Sequence, residues 1–346
     1  MPLRSSLMRS AAKLFRVFDD EDLDLRGKTL EYNFIPTPPS ELSGGTAFPS
    51  TPASYIRFQS PGTFEVAGSP CTVDILVIGG GGAGGSFNPG AYAGGGGGGG
   101  GVRWCPGIAL AVGTYPVVVG DGGTGDGPGG NAPSPPYDGG PPAQPKGGGT
   151  SSIFNPGDGN SVPAITATGG GAGGFAGDSG QGDGGSGGGC SYSPGGSEAD
   201  GNLGGDEPRA NPVKEGGPSF PTQRGPQPSW GCCGGGGAGD VDGLSPLPRQ
   251  NGVAGHTIPQ MGSPGDPWLP PAGNVFSGGG GGASYKSQGG LGEGGPGGGA
   301  DAANAGNDAA DYSGGGGGGG GKYGGGDGGH GVIYIVTTPA NPVSPA

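Results

Sequence analysis

Val73-Asp74-Ile75-Leu76-Val77-Ile78-Gly79-Gly80-Gly81-Gly82-Ala83-Gly84-Gly85 joins the strongest strand signal in the chain to a run almost without side chains. A strand ending in several glycines is also how a dinucleotide site begins. That site works only if a helix opens at the third glycine and turns its N-terminus to the pyrophosphate. Here the chain continues Ser86-Phe87-Asn88-Pro89-Gly90, which cannot open a helix. The position about 20 residues on, where an acid would hold a ribose, is glycine. The stretch therefore reads as a strand feeding an extended glycine segment, and no cofactor is expected.

Outward from this point, further strand signals gather near the two ends of the chain. Tyr55-Ile56-Arg57-Phe58 and Thr63-Phe64-Glu65-Val66 flank a turn at Ser60-Pro61-Gly62. Residues 102–104, 109–112 and 115–119 follow, and Val332-Ile333-Tyr334-Ile335-Val336 lies far away. Of the 52 Leu, Ile, Val and Phe residues, 30 fall in residues 1–120 and 5 in 331–346. The long middle, on this reading, cannot bury side chains. The pattern predicts a mainly β protein with much non-regular structure: a small β-sandwich closed by both ends of the chain.

The middle is built of glycine runs separated by polar, proline-rich connectors. The runs are 79–85, 94–101, 147–149, 169–174, 234–239, 278–282 and 314–321. The 346 residues hold 97 glycines and 38 prolines, a composition that by itself favours disorder. Collagen is excluded because the glycines come in blocks rather than at every third position. Each glycine costs about 0.5–1 kcal/mol more to order than alanine, so order needs a dense compensating network. The three-residue extended helix supplies one. Its N–H and C=O groups point outward in three directions, and without Cβ atoms neighbouring rods can exchange N–H···O bonds on every side. The recurrence of the runs between turn-rich connectors predicts a bundle of such polyglycine-II helices carried by the sandwich.

Residues 1–25 read as a short amphipathic helix, with Leu7, Ala11, Leu14, Phe15 and Phe18 at helical spacing. The acidic run 19–22 ends it, because negative charge is disfavoured at a helix C-terminus. The alternatives are a docking peg with Leu7, Leu14, Phe15 and Phe18 as its contacts, a solvated surface helix, or a membrane-surface helix. The predicted organisation is an N-terminal docking helix or arm over 1–35, a Pro-rich linker over 36–53, a glycine-rich domain over 54–338 and a tail over 339–346. Within the domain, strands at 54–120 and 331–338 close the sandwich, and the bundle and its loops occupy 79–330.

The chemistry on offer is sparse. The net charge is −13, carried beyond the balanced first 35 residues, which argues against a nucleic-acid partner. The two histidines, His256 and His330, fall on separate loops, and no metal-ligand spacing is present. Carboxylates stand singly among glycines, where they read as solvated. Those in 178–183 lack the calcium-loop pattern. Five cysteines fit no paired motif and read mostly as free thiols. No apolar run approaches the length of a membrane span. Neither an enzyme nor a metal or cofactor site is expected. The connector aromatics Tyr137, Tyr192, Phe220, Trp230 and Trp268 have no core to enter. They either cap rod ends and proline rings or project outward as carbohydrate or protein contacts.

The order of these pieces resembles the glycine-rich domain of bacteriophage fibre and tail-associated proteins. The matching segments are Phe58-Gln59-Ser60-Pro61-Gly62-Thr63-Phe64-Glu65-Val66, then Val73 to Gly82, then a glycine block before Val102. Gly113-Thr114-Tyr115-Pro116-Val117-Val118-Val119-Gly120-Asp121-Gly122-Gly123 and the closing Gly331 to Val336 extend the match over roughly 55–338. The resemblance implies a virion protein, a tail fibre or fibre tip, whose polyglycine rods hold loops against a bacterial surface. It implies other virion proteins as partners of the N-terminal segment and a host glycan or outer-membrane protein as the receptor. A fibre role further implies a homo-oligomer, a trimer among the options, although no heptads in 1–25 demand one. The rival expectation is a passive capsid or neck decoration without receptor affinity.

Overall fold

The computed structural model describes residues 41–43, 45–48, 54–86, 93–125, 146–153, 164–174, 184–189, 213–214, 232, 234–238, 250–263, 265–266, 269–271, 273–283, 291–321 and 324–337. They form a mainly β structure of antiparallel sheets, all within the unit that spans 39–346. The strands are β1 (Glu41–Ser43), β2 (Thr46–Phe48), β3 (Ser54–Phe58), β4 (Gly62–Ala67), β5 (Cys71–Ile78), β6 (Val102–Leu110) and β7 (Gly113–Val118). After them come β8 (Ser151–Ile153), β9 (Ile165–Ala167), β10 (Val213–Lys214), β11 (His256–Thr257), β12 (Val275–Phe276) and β13 (Val332–Thr337). One sheet has the order β1-β4-β7-β8-β9, and a second the order β10-β6-β5-β13-β3-β2. The predicted helix over 1–25 lies outside the described residues.

Strand β13 is the keystone. It lies between β3 and β5, antiparallel to both, with Ile335 opposite Ile56 on one side and Ile75 on the other. The two ends of the domain meet here across more than 250 residues of intervening chain. All six of its residues are buried. Alternation divides Val332 to Val336 between two apolar clusters, because successive side chains in a strand point to opposite faces. Ile333 and Ile335 join Val73, Ile75 and Val77 of β5 in a cluster shared with the other sheet, through Phe64, Val66, Tyr115, Val117, Ile153 and Ile165. There the Phe64 ring lies 6.1 Å from Tyr115 and edge-on to Phe58 at 6.5 Å.

Val332, Tyr334 and Val336 join Leu76 and Ile78 in a second cluster on the opposite face, closed by Ile258, Met261, Leu269 and Phe276. This corrects the expectation that the middle of the chain buries no side chains. Met261 of the one-turn 3-10 helix Pro259–Met261 and Phe276 of the short β11–β12 pair, with Ile258 and Leu269 beside them, lie against the six-stranded sheet. Their spacing follows neither the helical nor the strand period, which is why it gives no sequence signal.

Two further differences have local causes. Residues 102–104 and 109–112 are not separate strands, because β6 runs unbroken through Pro106-Gly107. The register skips at Asp74, whose Oδ1 accepts the Gly107 N–H at 2.7 Å, and Gly107 has a φ of 69°. A bulge thus absorbs the residues that read as a break. Within the proline-rich stretch 36–53, β1 pairs with β4 and β2 with β3, extending both sheets.

Candidate functional site

Where β5 ends, the chain enters the glycine run 79–85, and every N–H in it is bonded to another segment. Gly79, Gly82 and Gly85 donate to Gly101, Gly98 and Gly95 at 2.8–3.0 Å. Gly80 and Ala83 donate to Gly149 and Lys146, while Gly81 and Gly84 donate to Gly329 and Gly326. The partner segment therefore recurs at every third residue. The carbonyls complete the ring: Gly80 and Ala83 accept from Gly170 and Gly173, Gly82 and Gly85 from Gly317 and Gly320, and Gly81 from Gly123. One glycine run is thus surrounded by six others.

The same repeat of three holds in the next runs. Gly94, Gly97 and Gly100 donate to Gly320, Gly317 and Gly314, and Gly95, Gly98 and Gly101 donate to Gly174, Gly171 and Thr168. In the run 278–283, Gly278 and Gly281 donate to Gly297 and Ala300, Gly279 and Gly282 to Val253 and Gln250, and Gly280 and Ala283 to Gly97 and Gly94. The result is a lattice in which buried backbone amides find partners that side chains do not supply. At many of its positions the packing admits only glycine. A Cβ on Gly81 would overlap the Gly315 carbonyl oxygen, and one on Gly316 the Gly97 oxygen.

The amides of 79–85, which would have to cradle a phosphate, are all spent on neighbouring runs. His330 Nδ1 lies 3.1 Å from Asp311 Oδ1 at the surface, with the Tyr312 ring 5.8 Å away. His256 sits on β11, on a separate element. Among the described residues no group of three His, Cys, Asp or Glu could hold a metal ion. Cys71 and Cys105 are free thiols, and Cys232 Sγ donates to the Ala93 carbonyl at 3.1 Å. Burial pushes the Cys71 thiol up, and pushes Cys105 up despite the opposing Arg103 charge. Tyr334 is raised most strongly, because burial outweighs the neighbouring Arg57 guanidinium.

One end of the lattice abuts the strands. At the other, a chain of bonds ties run ends into a single level: Gly174 N–H to Gly189, Gly95 to Gly174, Gly85 to Gly95, Gly320 to Gly85, Gly94 to Gly320, Ala283 to Gly94 and Cys232 to Ala283. Ala83 N–H to Lys146 and Lys146 N–H to Thr124 add a further pair of ends. The connectors 87–92, 126–145, 190–231, 284–290 and 322–323 all depart from and return to this level, and 190–231 reaches the sheet in between through β10 against β6. Tyr137 belongs to 126–145, and Tyr192, Phe220 and Trp230 belong to 190–231. Trp268 falls between Asp266 and Leu269 in the sequence. These five aromatics, and Leu7, Leu14, Phe15 and Phe18, lie outside the described residues. The structure thus fixes where the connectors begin and end.

A family model described as a glycine-rich domain matches residues 59–338. No curated protein matches the chain.

Proposed function

Because the chain belongs to the glycine-rich domain family, we propose that it is a bacteriophage virion structural protein, a tail fibre or fibre-tip appendage with a rigid frame that presents loops for host-surface recognition. In this reading the glycine runs are polyglycine-II helices, a β-sandwich anchors them, and their connectors meet a glycan or outer-membrane protein. A short N-terminal helix bearing Leu7, Leu14, Phe15 and Phe18 docks on other virion proteins, and the assembled appendage is a homo-oligomer. The partner repeat of three in runs 79–85 and 94–101 supports the helix assignment, since polyglycine II has three residues per turn and no internal hydrogen bonds.

The observation that carries the functional reading is the shared level of the run ends at Ser86, Gly189, Cys232 and Gly321, from which five connectors spring. Loops held at both feet by a stiff frame lose little ordering entropy on contact, and they can vary without disturbing the frame. The test is saturable binding of the purified, labelled full chain to a panel of bacterial cells. Binding to a subset of strains, competed by unlabelled chain, supports recognition. A folded chain that binds none of them leaves a passive capsid or neck decoration as the better account.

A further inference from the structure

The outer glycine runs face a difficulty the inner ones escape, because an outward N–H has no further run to meet. Along one face of the lattice, side chains fill that place. Asp327 Oδ1 accepts the Gly125 N–H at 2.7 Å, and Asp308 Oδ1 accepts the Asp327 N–H at 2.9 Å. Asp301 Oδ1 accepts the Gly294 N–H at 2.7 Å, and Asn251 Oδ1 accepts the Glu293 N–H at 3.0 Å.

These bonds follow one lateral series of outer segments, already linked by backbone. Gly328 donates to Gly123, Ala309 to Asp327, Asn307 to Asp301, Ala302 to Gly292 and Gly252 to Glu293. The caps therefore form a belt over the segments 120–125, 324–331, 306–310, 299–303, 291–295 and 250–255. Asp301, Asp308 and Asp327 are exposed. As isolated carboxylates they read as merely solvated, yet each is the acceptor that a missing neighbouring run would otherwise supply. The polar residues recur at the lattice period, at 121 and 124, at 301, 304 and 307, at 308 and 311, and at 327 and 330.

We infer that the Asp301, Asp308 and Asp327 carboxylates are edge caps that end the glycine lattice and hold this face against lateral pairing with a second copy of the chain. An exposed row of backbone donors is a template for another chain, and a glycine edge carries few side chains to obstruct the approach. The Gly125, Asp327 and Gly294 N–H groups already have an acceptor, so an incoming run would have to displace an existing bond. The inference goes beyond the proposed recognition role and is indifferent to what the connectors contact.

The test is the sedimentation of the full chain carrying Asp301→Ala, Asp308→Ala and Asp327→Ala together, beside the corresponding triple Asn variant. The Ala variant is expected to associate beyond the wild-type oligomeric state at equal concentration. The Asn variant keeps an Oδ1 acceptor at each position and is expected to sediment as wild type. An Ala variant that retains the wild-type state while its 79–85 amides stay protected overturns the inference. Association of the Asn variant overturns it too, since the effect then belongs to charge alone. Should the triple Ala variant fail to fold, Asp327→Ala alone is read by amide exchange. At least tenfold faster exchange at Gly125, with 79–85 unchanged, is expected, and an unaltered Gly125 rate refutes the cap.

Discussion

The Gly98 carbonyl accepts the Gly82 N–H at 2.8 Å, while the Gly98 N–H donates at 2.8 Å to Gly171 in a third run. A single residue thus links its own run to two others, and repetition at every third position builds the interior from main chain. In an ordinary domain that interior is apolar side-chain packing.

Amide exchange follows directly. The amides of 79–85 and 97–101 are expected to exchange only through large-scale opening, at rates far below random coil. Gly147 is exposed, and its N–H lacks a partner among the described residues, so it exchanges quickly and serves as the internal control. Random-coil exchange throughout 79–85 would sink the lattice.

Position decides what a methyl group does. Gly81→Ala drives a Cβ into the Gly315 carbonyl and is expected to destabilise by about 1–3 kcal/mol or more, the range for overpacking. Gly113→Ala meets nothing within 4 Å and stays within about 0.5 kcal/mol of wild type. Denaturant titration of the two variants side by side makes the comparison.

Ile335 is fully buried in the keystone strand, in the cluster shared by the two sheets. Ile335→Ala is expected to cost about 2–5 kcal/mol, visible as a lower denaturation midpoint with an unchanged slope.

Alkaline pH should weaken the fold. Burial holds the Tyr334 hydroxyl and the Cys71 thiol above their ordinary values. Below the unfolded-state values both states keep these protons. Above them the unfolded chain releases protons that the native chain retains, so stability falls as pH rises through about 9 to 10 and onward. Tyrosinate absorbance followed against pH, together with unfolding midpoints, checks the sign. Tyr334 ionising with an exposed tyrosine's ordinary titration in the native state would contradict it.

Much of this architecture is legible in residue order. β3, β4, β5, β7 and β13 follow from their apolar and β-branched runs, and the pairing of the first strands with the last follows from where Leu, Ile, Val and Phe collect. Other parts are not legible. β8 and β9 have three residues each, too few to display a period. Ile258, Met261, Leu269 and Phe276 stand at irregular intervals among prolines and glycines, so only the sheet they cover reveals them as one cluster. The capping role of Asp301, Asp308 and Asp327 depends on which face of a run turns outward, a property of the assembled lattice.

The place of β13 between β3 and β5 carries a consequence for biosynthesis. A ribosome must deliver the whole glycine-rich region before it releases the residues that zip the six-stranded sheet shut. Until then two hydrogen-bonding edges and two apolar surfaces wait without their shared partner. Translation that stops before residue 332 leaves β3 and β5 without the strand that joins them, so closure reports that both ends of the domain have been made.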